Sequence, residues 1–141
     1  MAATDGCQAT VEIGMPAPFA AFCLHHLDVY ILYATARVGD GRQARALVEA
    51  TLGDLAMLWA EALESPSPAA LAWRLLTART NHAATVSSPA LYRVLPAPQA
   101  DAVLLRYRLG LSPDRAADAM GWQPGEFAYV LKAAVRAGAA A

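Results

Sequence analysis

The chain has 141 residues, enough for one domain or two small ones with a real core. Hydrophobic residues make up 57% of it and charged residues 16%, a balance that fits an alanine-rich helical interior and some apolar surface meant for a partner. A net charge of −1 argues against gross, non-specific nucleic-acid affinity, but the charge is uneven, with acids in excess over residues 1–84 and bases in excess over residues 85–141.

Residues 1–16 lack periodicity and read as a flexible tail. Over residues 18–38, Phe19, Phe22, Cys23, Leu27, Tyr30, Ile31 and Ala34 recur at helical spacing, and Gly39-Asp40-Gly41 breaks that helix. A longer helix is predicted over 42–64, with Leu47, Val48, Leu52, Leu55, Leu58, Trp59 and Leu63 as its apolar stripe; Gly53 weakens it by roughly 1 kcal/mol relative to alanine. Ser65-Pro66-Ser67-Pro68 ends it, and Ser67 and Pro68 suit the start of a third helix over 68–84 that buries Leu71, Leu75 and Trp73. Residues 85–98, rich in Ser and Pro, read as a linker with a short turn around Leu91-Tyr92, followed by a fourth helix over 99–108. Nothing resembles a strand pair. The predicted fold is all-α: a three-helix N-terminal unit over residues 17–84, the linker, and a C-terminal unit over residues 99–141.

The most informative stretch is residues 109–136, LGLSPDRAADAMGWQPGEFAYVLKAAVR, which has the plan of a helix-turn-helix. Ser112 can accept from free N–H groups of the first helix, and Pro113 fits its first position. Ala116, Ala117 and Met120 give it a small apolar face, Gly121 supplies a turn and Pro124 can open the second helix. That second helix is poor in residues that hydrogen-bond to base edges and phosphates: Glu126 faces phosphate unfavourably, and Ala128, Val130 and Ala133 offer nothing polar. Gln123, Tyr129, Lys132 and Arg136 remain as candidate contacts, with Arg106, Arg108 and Arg115 as backbone anchors. Two exclusive uses follow: weak DNA contact, or burial of Phe127, Tyr129, Val130 and Leu131 against another protein.

Other chemistry finds little support, and no enzyme activity, metal or cofactor is expected. Cys7 and Cys23 are too few for a disulfide framework and read as ordinary thiols; His25, His26 and His82 do not sit at useful spacings with them for zinc. His25 and His26 are adjacent and so point in different directions on a helix. Asp114 and Asp118 read as a solvated face that gains from the helix dipole. No phosphate-binding glycine loop or nucleophile elbow appears. No uninterrupted run approaches the roughly 18 apolar residues of a membrane span, and the N-terminus lacks the basic flank of a signal peptide, so a cytoplasmic protein with no membrane partner is expected.

Taken in order, these elements resemble a small sigma factor of the sigma-70 family, of the extracytoplasmic-function type. Leu95-Pro96, Ala102-Val103-Leu104-Leu105-Arg106-Tyr107, Gly110-Leu111-Ser112, Ala116-Ala117 and Met120-Gly121 are similar to the family's C-terminal region 4. Residues 22–40, ending in Gly39-Asp40, resemble the opening helix of its region 2; residues 44–51 resemble its clamp-binding helix, and Ala72-Trp73-Arg74-Leu75 the helix that follows. The resemblance implies docking on RNA polymerase core through the 44–59 face, with Arg45, Leu47, Val48, Glu49, Leu52 and Asp54 as contacts. It implies a weak or polymerase-dependent approach to promoter DNA through Arg106, Arg108, Arg115, Gln123, Tyr129, Lys132 and Arg136, and an anti-sigma or other regulatory protein as partner. The residues depart from the family at working positions: Arg45 and Ala46 stand where it usually has acids, and no basic cluster follows Asn81-His82. Alongside a transcription-initiation factor, a sigma-like interaction module that has lost promoter recognition, forming a complex with a regulator or a homo-oligomer, is the second expectation.

Overall fold

The computed structural model describes residues 17–84 and 88–140. Helix α1 spans Ala17–Val38 and stops at Gly39, which adopts φ +78 and donates its N–H to the Thr35 carbonyl at 2.8 Å. Asp40 then caps helix α2, Gly41–Met57, by accepting from the Arg42 N–H at 3.1 Å. The helix predicted over 42–64 is divided: α2 ends at Met57 and α3 spans Trp59–Glu64, with Leu58 between them at φ −104. The break falls past Gly53, which sits exposed within α2. It turns Trp59 edge-on to Phe19 and Phe22, at ring-centroid distances of 5.1 and 5.5 Å. Ala44, Val48, Thr51, Leu55, Trp59 and Ala62 form the buried stripe, so Ala62 takes the inward place expected of Leu63, which is exposed.

Helix α4, Pro68–Ala83, starts as predicted, with the Ser67 hydroxyl accepting from the Ala70 N–H at 3.0 Å and proline in the first turn. It buries Trp73 and Leu76, while Leu71 and Leu75 are half-buried at the edges of that face. Among the linker residues, 85–87 lie outside the described residues, as do the predicted tail and its Cys7. The turn expected near Leu91 is a short helix, α5, Leu91–Val94. Helix α6, Ala97–Val103, runs on into a π-helical turn, Leu104–Arg108, in which the Leu109 N–H reaches back five residues to the Leu104 carbonyl at 2.9 Å. The wide turn carries Leu104 and Leu105 both inward. Helices α7, Pro113–Met120, and α8, Pro124–Ala140, complete the chain. No strand occurs among the described residues, and the fold is all-helical.

One apolar core runs from Phe19, Val48, Leu55 and Leu76 through Leu104, Leu105, Ala116, Met120 and Phe127, so the halves on either side of the linker share it. A smaller cluster of Leu95, Ala100 and Ala134 lies under the end of α8. Helix α1, at 22 residues with a mean hydropathy of 1.2, is long and apolar enough to cross a membrane by length and composition, which the test for an uninterrupted apolar run misses. Its inward face carries the polar groups Tyr30, Tyr33 and Arg37, all buried in this core.

The halves are also joined by a buried polar cluster. Arg37 donates to the Tyr33 hydroxyl at 2.7 Å, to Asn81 Oδ1 at 2.8 Å and to the Ser88 hydroxyl at 3.3 Å. Tyr33 and Tyr92 in turn donate to Asp101 Oδ1 at 2.8 and 2.5 Å, the Arg37 guanidinium lies 3.8 Å from that oxygen, and it also lies 3.8 Å from the centroid of the Tyr92 ring. Burial pushes the Asp101 carboxyl above the usual carboxylate range; the two hydroxyls and Arg37 pull the other way without cancelling it. Burial and the Asp101 charge push both tyrosine hydroxyls well above their ordinary value, so both stay protonated and donate.

Asp101→Ala, which leaves Arg37 buried without its counter-charge, is expected to lower folding stability by about 3–5 kcal/mol in urea unfolding. A loss below about 1 kcal/mol, the range of an exposed ion pair, would remove this cluster as the link between the halves.

Candidate nucleic-acid interface

The helix-turn-helix forms where the sequence places it. The Ser112 hydroxyl accepts from the Arg115 N–H at 3.1 Å, and Pro113 occupies the first turn of α7. At the far end the Trp122 N–H donates to the Ala117 carbonyl at 2.9 Å and the Gly121 N–H to the Asp118 carbonyl at 3.2 Å, the paired bonds of a Schellman cap. Gly121 holds φ +74 there, and the Gln123 carbonyl accepts the first bond of α8 from Phe127 at 3.0 Å. Trp122 packs on Phe127, with ring centroids 6.4 Å apart.

Helix α8 turns Phe127 and Ala134 inward. Tyr129, Lys132 and Arg136, spaced i, i+3 and i+7, form one stripe on the opposite, exposed side, and Tyr129 is 74% exposed. Glu126 is exposed in the first turn, Val130 and Leu131 are half-buried, and Val135 is exposed. Gln123 is exposed in the turn. Arg108 is exposed beside an apolar cleft lined by Val103, Ala134 and Val135 at the end of α8. Arg106 is half-buried, with Nη1 3.4 Å from the Leu111 carbonyl and its guanidinium 5.3 Å from the Tyr107 centroid. Arg115 lies towards α1, where its charge acts on His26. The seven predicted DNA contacts are thus dispersed: three share the outward stripe of α8, and Arg115 belongs to the α1 side.

On α2, Arg45 and Glu49 are exposed and Leu47 and Leu52 half-buried. Val48 is fully buried and presents no surface to a partner; it packs in the core stripe between Ala44 and Thr51. Asp54 is engaged by Arg79, whose Nε and Nη2 lie 3.1 and 2.6 Å from Oδ2.

Where the halves meet, the turn of the helix-turn-helix sits on the start of α4. A Cβ on Gly121 would lie 2.2 Å from the Ala70 nitrogen and 2.5 Å from its Cα, which are backbone atoms that no rotamer can move aside. On α1 the His25 and His26 rings, expected to diverge, approach to a centroid distance of 4.7 Å. Asp118, expected to be a solvated carboxylate, is bonded to His25 Nε2 at 2.7 Å; Asp114 is exposed. His26 packs between Phe22 and Tyr30, at 4.4 and 5.3 Å, and burial lowers its pKa to about 4 against the opposing pull of Asp118. Cys23 is a free thiol, and burial pushes its pKa up to about 11, so it is unreactive as a nucleophile. The Gly121–Ala70 and His25–Asp118 contacts carry no signal in the sequence, because each joins residues far apart in the chain.

The chain matches no protein-family model, no curated protein and no solved structure.

Gly121→Ala combines a left-handed φ with a backbone collision and is expected to cost about 2–4 kcal/mol in chemical denaturation. A cost near 1 kcal/mol, that of the φ alone, would show that the turn is not seated on α4. For His26, the folded pKa near 4 lies below the ordinary 6.5. The unfolded chain therefore takes up the proton first as pH falls, and stability is lost from about pH 6.5 down to about pH 4, by roughly 3 kcal/mol at most. The difference in unfolding free energy between the parent and His26→Leu, measured at both ends of that window, checks this; parallel losses in the two proteins would refute it.

Proposed function

We propose that this chain is a small sigma-70-like factor that docks on RNA polymerase core through α1, α2 and α4 and brings α8 to promoter DNA while held there by the polymerase. The observation that carries this reading is the capped helix-turn-helix, whose second helix buries Phe127 and Ala134 and turns Tyr129, Lys132 and Arg136 outward as one stripe. A tyrosine and two cations in line suit phosphate and groove contacts, and the exposed Glu126 and small number of cations limit affinity in the absence of polymerase. On α2, the solvent-facing Arg45 and Glu49, flanked by the half-buried Leu47 and Leu52, form the polymerase-facing surface of this reading. It involves no covalent chemistry and no cofactor, and it assigns the protein to the cytoplasm.

A second reading, a sigma-like interaction module without promoter recognition, is favoured by the exposed Tyr129 and Val135 and by the seating of the turn on α4. In that case α8 binds a regulatory protein or a second copy of the chain.

Capture of core polymerase followed by promoter-dependent run-off transcription separates the two. Binding with initiation is the expected outcome; binding without initiation supports the interaction module, and no binding sinks the first reading outright. Lys132→Ala with Arg136→Ala is expected to weaken DNA binding by the polymerase complex about tenfold or more and to reduce its salt slope by about 2. An unchanged slope would mean that the α8 stripe does not touch phosphate.

A further inference from the structure

We propose that His25, His26 and Asp118 form a binding site for a divalent cation of the zinc class, which pins α7 to α1. One donor atom from each of the three side chains lies within 4.8 Å of the other two. Two imidazole nitrogens and one carboxylate oxygen are a zinc-type donor set that leaves a fourth position for water, and imidazole disfavours magnesium and calcium.

The geometry is close to what such an ion needs. Tetrahedral zinc with bonds of about 2.0–2.1 Å places its ligand atoms about 3.3 Å apart. His25 Nε2 and Asp118 Oδ2 are already 2.7 Å apart, and both side chains are largely exposed, at 63% and 54%, free to turn about an ion. His26 supplies the fixed point. It is only 5% exposed and held between the Phe22 and Tyr30 rings, so its position is set by packing. An ion at this place would take one ligand atom from each of the three converging side chains.

The ligands come from both halves of the chain, with His25 and Asp118 separated by 93 positions. Occupancy would therefore cross-link α1 to the first helix of the helix-turn-helix, next to the seat of Gly121 on Ala70. The site stands on this geometry alone and holds whether or not the chain binds polymerase.

The test uses the full chain, stripped with chelator and then titrated with Co2+ and Zn2+. One Co2+ per chain is expected, with visible absorption of a four- or five-coordinate site; Zn2+ should displace it and raise the thermal midpoint. His25→Ala and Asp118→Asn change exposed side chains, and circular dichroism of the metal-free proteins verifies that they fold. Each is expected to weaken binding by about tenfold or more, while His82→Ala and Cys7→Ser leave it unchanged. Absence of saturable binding, affinity that survives both ligand substitutions, or binding lost in the His82 or Cys7 variants would overturn the proposal.

Discussion

An arginine and an aspartate with side-chain exposures of 5% and 4% sit inside a largely apolar bundle, and much of the architecture follows from the need to satisfy them. Neither charge can be left alone in such a place, since a buried ion without a partner costs several kcal/mol. Arg37 is met by a hydroxyl one turn earlier on α1, by Asn81 near the end of α4 and by Ser88 beyond it. Asp101 is met by tyrosines from α1 and α5. The cluster fixes five segments at once, and it turns Tyr92 from a residue of a connecting segment into part of the interior. Such a cluster contributes less net stability than apolar packing of the same volume would. It specifies more, because only one arrangement of the helices serves all the groups.

The surfaces left free are what give the fold its possible uses, and they are unequal. The outer stripe of α8 combines an aromatic ring with two cations, while the outer face of α2 carries charges of both signs. Arg115, by contrast, lies towards α1, and Asp54 is held by Arg79. In the proposed reading the chain would meet nucleic acid through this one narrow strip. Affinity in that reading would come largely from whatever else holds the chain in place, and a polymerase-borne role is proposed on that ground.

Much of the helix layout was legible in the sequence because its signals are local. Gly39-Asp40, Ser67-Pro68, Ser112-Pro113 and Gly121 each act within one turn of the backbone, and each starts or stops a helix where expected. Periodicity also marks most of the inward faces, although a stripe followed over many turns drifts, so it points to Leu63 where the structure buries Ala62. The break at Leu58 carries no Gly or Pro and had no local sign. What the sequence could not reveal is how the halves meet. Tyr92 reads from the sequence as part of a short turn, and nothing local marks Arg37 or Asp101 as buried; their common burial depends on contacts up to 68 positions apart. The same holds for His25 with Asp118. Adjacent histidines do diverge from a helix axis, but a third group arriving from a distant helix makes their neighbourhood a cluster.

The seat of the Gly121 turn on Ala70 has a thermodynamic consequence. A state in which α7 were lifted from α4 would give up this contact together with the shared core beneath it. In the proposed reading, a partner at α2 that favoured the docked arrangement would change the affinity of a ligand at α8 by the same factor as that ligand changed the partner's. A glycine whose missing Cβ allows two backbones to touch is, in that sense, the point through which the two ends of the molecule would be linked.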